Sequence, residues 1–319
     1  MQQPRHHVIL LGASGTIGRA TLTALLAQGY RVTCLSRNPL SLPDGVAQSR
    51  VVFSDPADIR RVMRGLRADA ILSCMASRSG RPQDAWAVDY RAHLHVLEAA
   101  KALGIGRFVL LSAICVQKPL LEFQRAKRAF ETALQSSPLQ WSIVRPTAFF
   151  KSLSGQVKRV QAGKPFLLFG DGALTACKPI SDRDLAEYLV SCLSDPTRAQ
   201  RILPIGGPGP ALTPQAQGEM LFDLLDRPAR FRRVPVALMD GIIGGLAALG
   251  RVSSAMADKA EFARIGRYYA TESMLLWDAE AARYDADATP EHGRDRLRDH
   301  YAALIRGEAV TDLGAHAMF

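Results

Sequence analysis

Cysteine is scarce in this chain and poorly spaced for metal chemistry. The five cysteines, Cys34, Cys74, Cys115, Cys177 and Cys192, include no C-x-x-C pair. That excludes the usual iron–sulfur and zinc frameworks. An odd, dispersed set implies free thiols in a reducing cytoplasm. The seven histidines form no metal-ligand cluster, so no metal site is expected. Long hydrophobic runs are also missing. The most apolar stretch, VPVALMDGIIGGLAALG from Val234 to Gly250, is shorter than the roughly 20 residues that span a bilayer, and Asp240 interrupts it. It reads as a buried or lid helix, with contact to a membrane surface as the lesser reading. The apolar stretch Val8 to Leu11 is too short for a signal peptide and runs straight into a glycine turn. There is no internal repeat.

Acidic residues number 30 against 40 lysines and arginines, a net charge of +10. No basic recognition helix, RNA-binding aromatic signature or zinc finger accompanies that excess, so nucleic acid is not the expected partner. The charge suits an anionic cofactor and an acidic or membrane-associated substrate, and equally a scattered basic surface kept for solubility. Apolar residues make up 48% of the 319 and charged ones 22%, the balance of a globular protein with ample core.

What is present is alternation. Short β-branched runs at His7 to Leu11, Tyr30 to Leu35, Arg50 to Phe53, Asp69 to Ser73, Arg107 to Leu111 and Gln140 to Val144 read as strands. Helical stretches lie between them, notably Gly15 to Gln28, Gln83 to Leu103 and Leu121 to Gln135. Continuous apolar strands interleaved with amphipathic helices imply an α/β, Rossmann-type, doubly wound parallel sheet. After Pro146 the pattern breaks up. A helix is expected near Leu153 to Ala162, another over Asp182 to Leu193, a last strand at Arg201 to Ile205, and a helix opening at Thr213-Pro214. From about Pro235 the chain reads as mostly helical. The expected division is a dinucleotide-binding domain over 1–150 and a smaller, mostly helical substrate lobe over 151–319, with some strands returning to the main sheet.

The first strand runs into Gly12-Ala-Ser-Gly-Thr-Ile-Gly18 and then a helix, the context that a dinucleotide fingerprint requires. Gly12 serves the tight turn, Gly15 the approach of a pyrophosphate, and Gly18 the packing of helix on strand. Ser14, Thr16 and Ile17 complete the loop, and the helix N-terminus offers its dipole to phosphate. Ser36 and Arg37 end the second strand, where an NAD enzyme generally carries an Asp or Glu. Arg37 can grip a 2′-phosphate instead, so NADPH is the expected cofactor. Asp55 reads equally as an adenine partner and as a turn residue. Met75 and Ala76, after the fourth strand, should pass beside the nicotinamide ribose, and Pro146 and Thr147 should complete the cofactor site.

Phe123 stands four residues before Lys127, where a short-chain reductase would place a tyrosine. The lysine that would hold the nicotinamide ribose is present and the phenolic acid is not. The expected chemistry is hydride transfer to a group that needs no proton at an oxygen, or no chemistry at all.

Around this pair the chain resembles a known family. The runs LSAICVQKPLLEFQRAK (111–127), IVRPTAFFKS (143–152), FGDG (169–172), ACKPIS (176–181), LPIGGPG (203–209), EFARIGRYYA (261–270) and ESM (272–274) are similar to the divinyl chlorophyllide 8-vinyl reductases of chlorophyll and bacteriochlorophyll biosynthesis. These are atypical members of the short-chain dehydrogenase superfamily. The resemblance covers most of residues 8–300 and implies NADPH-dependent reduction of the 8-vinyl group of divinyl chlorophyllide, or divinyl protochlorophyllide, to ethyl. That family shares the Phe and Lys pairing. Lys127 and Phe123 are then the catalytic pair, Phe123 as an apolar wall against the substrate ring. Phe149 and Phe150 are candidates to stack on a macrocycle. Lys151 and Lys178 are candidates for its propionate, and Tyr268 and Tyr269 for proton donors. The competing reading is a non-catalytic NADPH-sensing regulator similar to the NmrA-like proteins; a reductase of another conjugated double bond is a third. The cytoplasm, at the periphery of photosynthetic membranes, is the expected location. Oligomeric state stays open.

Overall fold

The strand β1 (His7–Leu11) is buried along its whole length, which is why Val8 to Leu11 reads as one unbroken apolar run. It pairs in parallel with β2 (Arg31–Ser36) on one side and β4 (Ala70–Ser73) on the other. β3 (Ala47–Arg50) adds to β2, β5 (Arg107–Leu111) to β4, and β6 (Gln140–Pro146) to β5, all in parallel. With β8 (Arg201–Ile205) the sheet has seven strands in the order β3-β2-β1-β4-β5-β6-β8. The expected third strand at Arg50 to Phe53 lies a few residues earlier, and Val52 to Asp55 forms a turn instead. Strand order reverses between β1 and β4, and the crevice outside the carboxyl ends of those strands is where such folds take ligands. The structure is a computed structural model and describes residues 6–309.

The chain forms two compact units. The first takes residues 6–77, 82–146 and 182–203. Its helices are α1 (Thr16–Ala27), α2 (Pro56–Arg64), the single turn α3 (Pro82–Ala85), α4 (His93–Leu103), α5 (Glu122–Gln135) and α8 (Asp182–Ser191). A π-helix, Trp86–Ala92, joins α3 to α4. The core packs Ile9, Leu11, Ile71, Phe108 and Ile143 of the strands against Val96, Phe130 and Leu134 of the helices. α8 belongs here, packed on α1, although it lies beyond the boundary expected at residue 150. A helix as well as a strand therefore returns to the first unit.

The second unit takes residues 78–81, 147–181 and 204–309. It holds α6 (Phe150–Leu153), α7 (Val157–Gln161), α9 (Pro214–Leu224), α10 (Val236–Leu249), α11 (Ser254–Thr271) and α12 (Leu297–Arg306). The helix expected over Leu153 to Ala162 is thus two short ones. Strands β7 (Phe166–Phe169) and β9 (Phe231–Val234) pair in parallel, and β10 (Leu276–Asp278) and β11 (Arg283–Asp285) antiparallel. A separate core gathers Phe150, Val157, Phe166, Leu221, Phe222 and Tyr301.

α10 departs from the expectation of a buried helix, since none of its residues is buried. Val236, Met239, Ile243 and Leu246 are half-exposed, and α10 packs against α11. Leu238, Ile242 and Leu249, spaced four and seven apart, stand at least half exposed, and Val252 beyond them is 89% exposed. High hydropathy on all sides of a helix gives its length and not its partner.

Candidate functional site

The three loop glycines are required for different reasons. Gly12 has φ +79°, and a Cβ there would sit 2.6 Å from the backbone of Cys74 and Met75 after β4. A Cβ at Gly18 would lie 2.1 Å from the Gly12 carbonyl oxygen. The packing of the chain itself dictates those two positions. At Gly15 a Cβ would meet only the Gly12 carbonyl oxygen, at 3.4 Å, so the space in front of Gly15 is not filled by protein. That cradle, with no side chain capping the N-terminus of the 12-residue α1, fits a phosphate. Ser14 and Gly15 are exposed, Thr16 is half-exposed, and Ile17 and Gly18 are buried. Arg19 reaches back to the Ser14 carbonyl at 2.7 Å and stiffens the turn.

At the end of β2, Arg37 is exposed and Ser36 half-exposed. Gln48, on β3, shapes this corner. Its amide donates to Ser36 Oγ at 2.6 Å and to the Asn38 carbonyl at 2.8 Å, and its oxygen accepts from the Leu40 N–H at 3.1 Å. Arg37 is thus presented by a fixed turn. Asp55 caps α2, its Oδ1 accepting from the N–H groups of Ala57 (2.9 Å) and Asp58 (3.3 Å).

The loop after β4 is held from the neighbouring helical segment. His93 is buried, and its Nδ1 lies 2.8 Å from the Val88 carbonyl, an acceptor only. Nδ1 therefore carries the proton, and Nε2 accepts from Ser73 Oγ at 2.8 Å. Burial pushes the His93 pKa down to about 4, keeping the ring neutral. Four residues earlier, on the π-helix, the Asp89 carboxylate is fully buried. Its Oδ2 accepts from Ser77 Oγ at 2.6 Å, and its Oδ1 from the Ser77 N–H at 3.2 Å and from Lys127 Nζ at 2.9 Å. Trp86 Nε1 donates to Glu122 Oε2 at 3.0 Å, a second tie between the π-helix and α5. That indole, followed by Arg125, holds the Glu122 carboxyl below the usual range.

Phe123 is half-buried on α5, four residues before Lys127, whose side chain is 14% exposed. Met75 is half-buried and Ala76 exposed. Ser112, the residue after β5, has a buried Oγ with no hydrogen-bond partner among the described residues. An orphaned hydroxyl at a strand's carboxyl end is a candidate ligand contact. Sequence reasoning passed over Ser112, Asp89 and Gln48. A serine just after an apolar strand is a readable signal for the first. Asp89 carried none, because an acid inside a helical stretch ordinarily faces water.

The second unit rearranges several expectations. Pro146 is buried at the end of β6 in the first unit. Thr147, the next residue, is engaged within the second: its N–H donates to the Ile205 carbonyl at 2.9 Å and its hydroxyl to the Lys178 carbonyl. Phe150 is a core residue, 4% exposed and 5.4 Å from the His300 ring, so it is not a surface for stacking; Phe149 and Lys151 are half-exposed. Lys178, expected to face a propionate, is 6% exposed and already neutralised. Its Nζ donates to Glu291 Oε1 at 2.6 Å and to the Thr289 carbonyl at 3.4 Å. Tyr268 is buried beside the partly exposed Tyr269, their ring centroids 5.7 Å apart. Tyr284, absent from the sequence reading, donates to Glu272 Oε2 at 2.6 Å; burial and that bond push its phenol pKa up.

Comparison with known proteins meets this geometry. A family model described as NAD(P)H-binding matches residues 12–196, more than half of the chain. The divinyl chlorophyllide a 8-vinyl-reductase, chloroplastic, of Oryza sativa subsp. indica is 50% identical over 335 residues, covering 98% of this chain and 82% of the rice protein. That of Zea mays is 48% identical over 331 residues, again 98% of this chain and 82% of its own length. Among solved structures, AtPrR2 with NADP+ and (+)pinoresinol superposes with a TM-score of 0.69 over 94% of this chain and 99% of that one. At 15% identity, that likeness concerns the fold.

Proposed function

The chain belongs to the NAD(P)H-binding family of divinyl chlorophyllide a 8-vinyl-reductases, and from that premise we propose that it reduces the 8-vinyl group of divinyl chlorophyllide a, or of divinyl protochlorophyllide, to ethyl, with NADPH as reductant. The observation that carries this reading is the α5 pairing: an anchored Lys127 with Phe123 where a phenol would serve carbonyl chemistry. When bound, NADPH would supply a hydride to an alkene whose conjugated macrocycle takes up the charge until a proton from solvent completes the ethyl group, so an oxyanion donor is not required.

The chain's own residues bind and orient. The Gly12 to Gly18 loop and the α1 N-terminus receive the pyrophosphate, and Arg37 reads the 2′-phosphate. Lys127 holds the nicotinamide ribose. Met75 and Ala76 line its path, and the Ser112 hydroxyl is a donor for a polar group of either ligand. Phe123 supplies an apolar wall, and Phe149 remains as the stacking ring. Lys151, half-exposed, takes over the propionate role from Lys178. Positioning is the main catalytic service such a site provides.

The deciding experiment incubates the protein anaerobically with NADPH and each divinyl pigment and separates the products by chromatography. An 8-ethyl product is the expected outcome. Unchanged vinyl pigment with intact NADPH binding would favour the NADPH-sensing regulator.

The exposed stripe of α10 supports contact with an anionic membrane surface. No helix among the described residues is long and apolar enough to cross a membrane. The acids of the α10–α11 pair are matched: Asp240 by Arg267, Asp258 by Arg81, and Glu261 by Arg264. Arg232 and Arg233 just before α10, Arg251 just after it and Lys259 on α11 are exposed. Apolar side chains rimmed by cations are what an interfacial helix presents to lipid. Co-sedimentation with anionic vesicles, lost in Leu238→Asp and Ile242→Asp and absent with zwitterionic vesicles, is expected; equal binding of the variants overturns it.

A further inference from the structure

We propose that Asp89 is a positioning residue that fixes the Lys127 ammonium for the cofactor ribose and ties it to the loop after β4; the inference rests on the reading that Lys127 contacts that ribose. A fully buried carboxylate costs stability unless it is paired and its lone pairs are satisfied. Asp89 meets that condition with three donors drawn from two places, Lys127 on α5 and Ser77 on the β4 loop. The carboxylate is therefore a bracket between the two segments that bear the expected ribose contacts.

The geometry on either side of the bracket is directional. Lysine carries three N–H donors. One is spent on Asp89, which leaves two for the two hydroxyls of a ribose. The carboxylate also fixes the ammonium's direction, because a four-carbon side chain otherwise loses rotamer freedom on binding. On the loop side, Asp89 and His93 stand four residues apart and take Ser77 and Ser73, so both ends of the 73–77 segment hang from one helical stretch. The stretch is π-helical from Trp86 to Ala92, a geometry that recurs at functional sites. The Trp86 bond to Glu122 keeps α5 in register with it, one residue before Phe123.

The experiment is a double-mutant cycle read by NADPH fluorescence titration, which needs no pigment. Lys127→Ala, Asp89→Asn and the double variant are compared with the parent. Lys127→Ala should raise the NADPH dissociation constant, and Asp89→Asn should raise it by about tenfold, the scale of one charge-assisted hydrogen bond. In the Lys127→Ala background Asp89→Asn should add nothing, since its effect runs through the lysine. A purely structural aspartate would instead give additive losses or leave affinity untouched, and either result overturns the proposal. Wild-type affinity in Lys127→Ala would sink the reading of Lys127 itself, an outcome distinguishable from failure of Asp89 alone. Should Asp89→Asn not fold, Ser77→Ala is run through the same cycle. A smaller loss that vanishes in the Lys127→Ala background supports the bracket, and an unchanged or additive result refutes it.

Discussion

Two lysines, Lys127 of the first unit and Lys178 of the second, are each paired with a carboxylate, and the contrast separates a proposed ligand contact from a structural pin. The Lys127 side chain is 14% exposed and that of its partner Asp89 fully buried; the Lys178 side chain is 7% exposed and that of its partner Glu291 43%. In the first pair the anion is the fixed member and the cation reaches outward with donors to spare. In the second the cation is enclosed, spending itself on Glu291 and the Thr289 carbonyl, and it ties the chain around residue 178 to residues 289–291. Residue type is the same in both. Which member of the pair is buried decides what is left for a ligand.

The largest expected effect breaks this comparison directly. Lys127→Ala should weaken NADPH binding by roughly 10- to 100-fold and also lower the unfolding temperature, because the fully buried Asp89 loses its cation. Lys178→Ala should touch stability alone: a loss of about 2 kcal/mol in denaturant-derived stability, because the Thr289 carbonyl and the Glu291 carboxylate lose an enclosed charged donor, and unchanged NADPH affinity. Affinity loss in both variants would mean that burial fails to discriminate ligand contacts from pins.

Acid titration sharpens the comparison next. His93, beside the Lys127 network, has a folded pKa of about 4 against an ordinary 6.5. The unfolded chain therefore binds a proton at this residue that the folded chain refuses between those values, and stability falls as pH drops from 6.5 to 4. The full span corresponds to at most about 3 kcal/mol. His93→Gln should flatten that limb in urea unfolding measured at successive pH values. An unchanged slope would assign it to other groups.

Much of this was legible in sequence, and the parts that were not share a cause. The strands at His7–Leu11 and Arg107–Leu111 were read to the residue, because a strand buried on both faces carries an unbroken apolar run, here Val8 to Leu11 and Phe108 to Leu111. The glycine loop was readable because steric demand at Gly12 and Gly18 admits no other residue. Lys127 was singled out from its spacing to Phe123, and its contact with the ribose stands as a proposal. Asp89 was missed because its burial depends on partners 12 residues earlier and 38 residues later in the chain. Lys178 and Phe150 were misjudged for the same reason. A basic or aromatic residue after a strand looks available until the covering segment is known, here Glu291 for one and the core around Tyr301 for the other. The short strands β7 and β9 escaped notice because their pairing joins segments 65 residues apart, Phe166 with Phe231.

A further test turns from lysine to arginine. Arg37, exposed on the corner that Gln48 fixes, is the expected reader of the 2′-phosphate. Arg37→Ala should reduce the preference for NADPH over NADH by about tenfold, mostly through weaker NADPH binding. Gln48→Ala should give a partial loss of the same sign, because it frees the turn without removing the charge. Undiminished discrimination in Arg37→Ala would place the reader elsewhere.

The smallest effect concerns the outer member of the second pair. Lys178, followed by the Gly209 N–H, holds the Glu291 carboxyl below its ordinary 4.5. A depressed folded pKa adds stability that is present above the unfolded value and fades as pH falls through the folded one. The Glu291 limb therefore lies below pH 4.5, under the His93 limb, and water screens it because Glu291 is 43% exposed. Glu291→Gln should leave unfolding near pH 7 slightly weaker and remove only the lowest part of the acid transition. If it instead destabilised the protein as much as Lys178→Ala, the carboxylate and not the enclosed ammonium would be the member that ties residue 178 to residues 289–291, and the contrast with Asp89 would vanish.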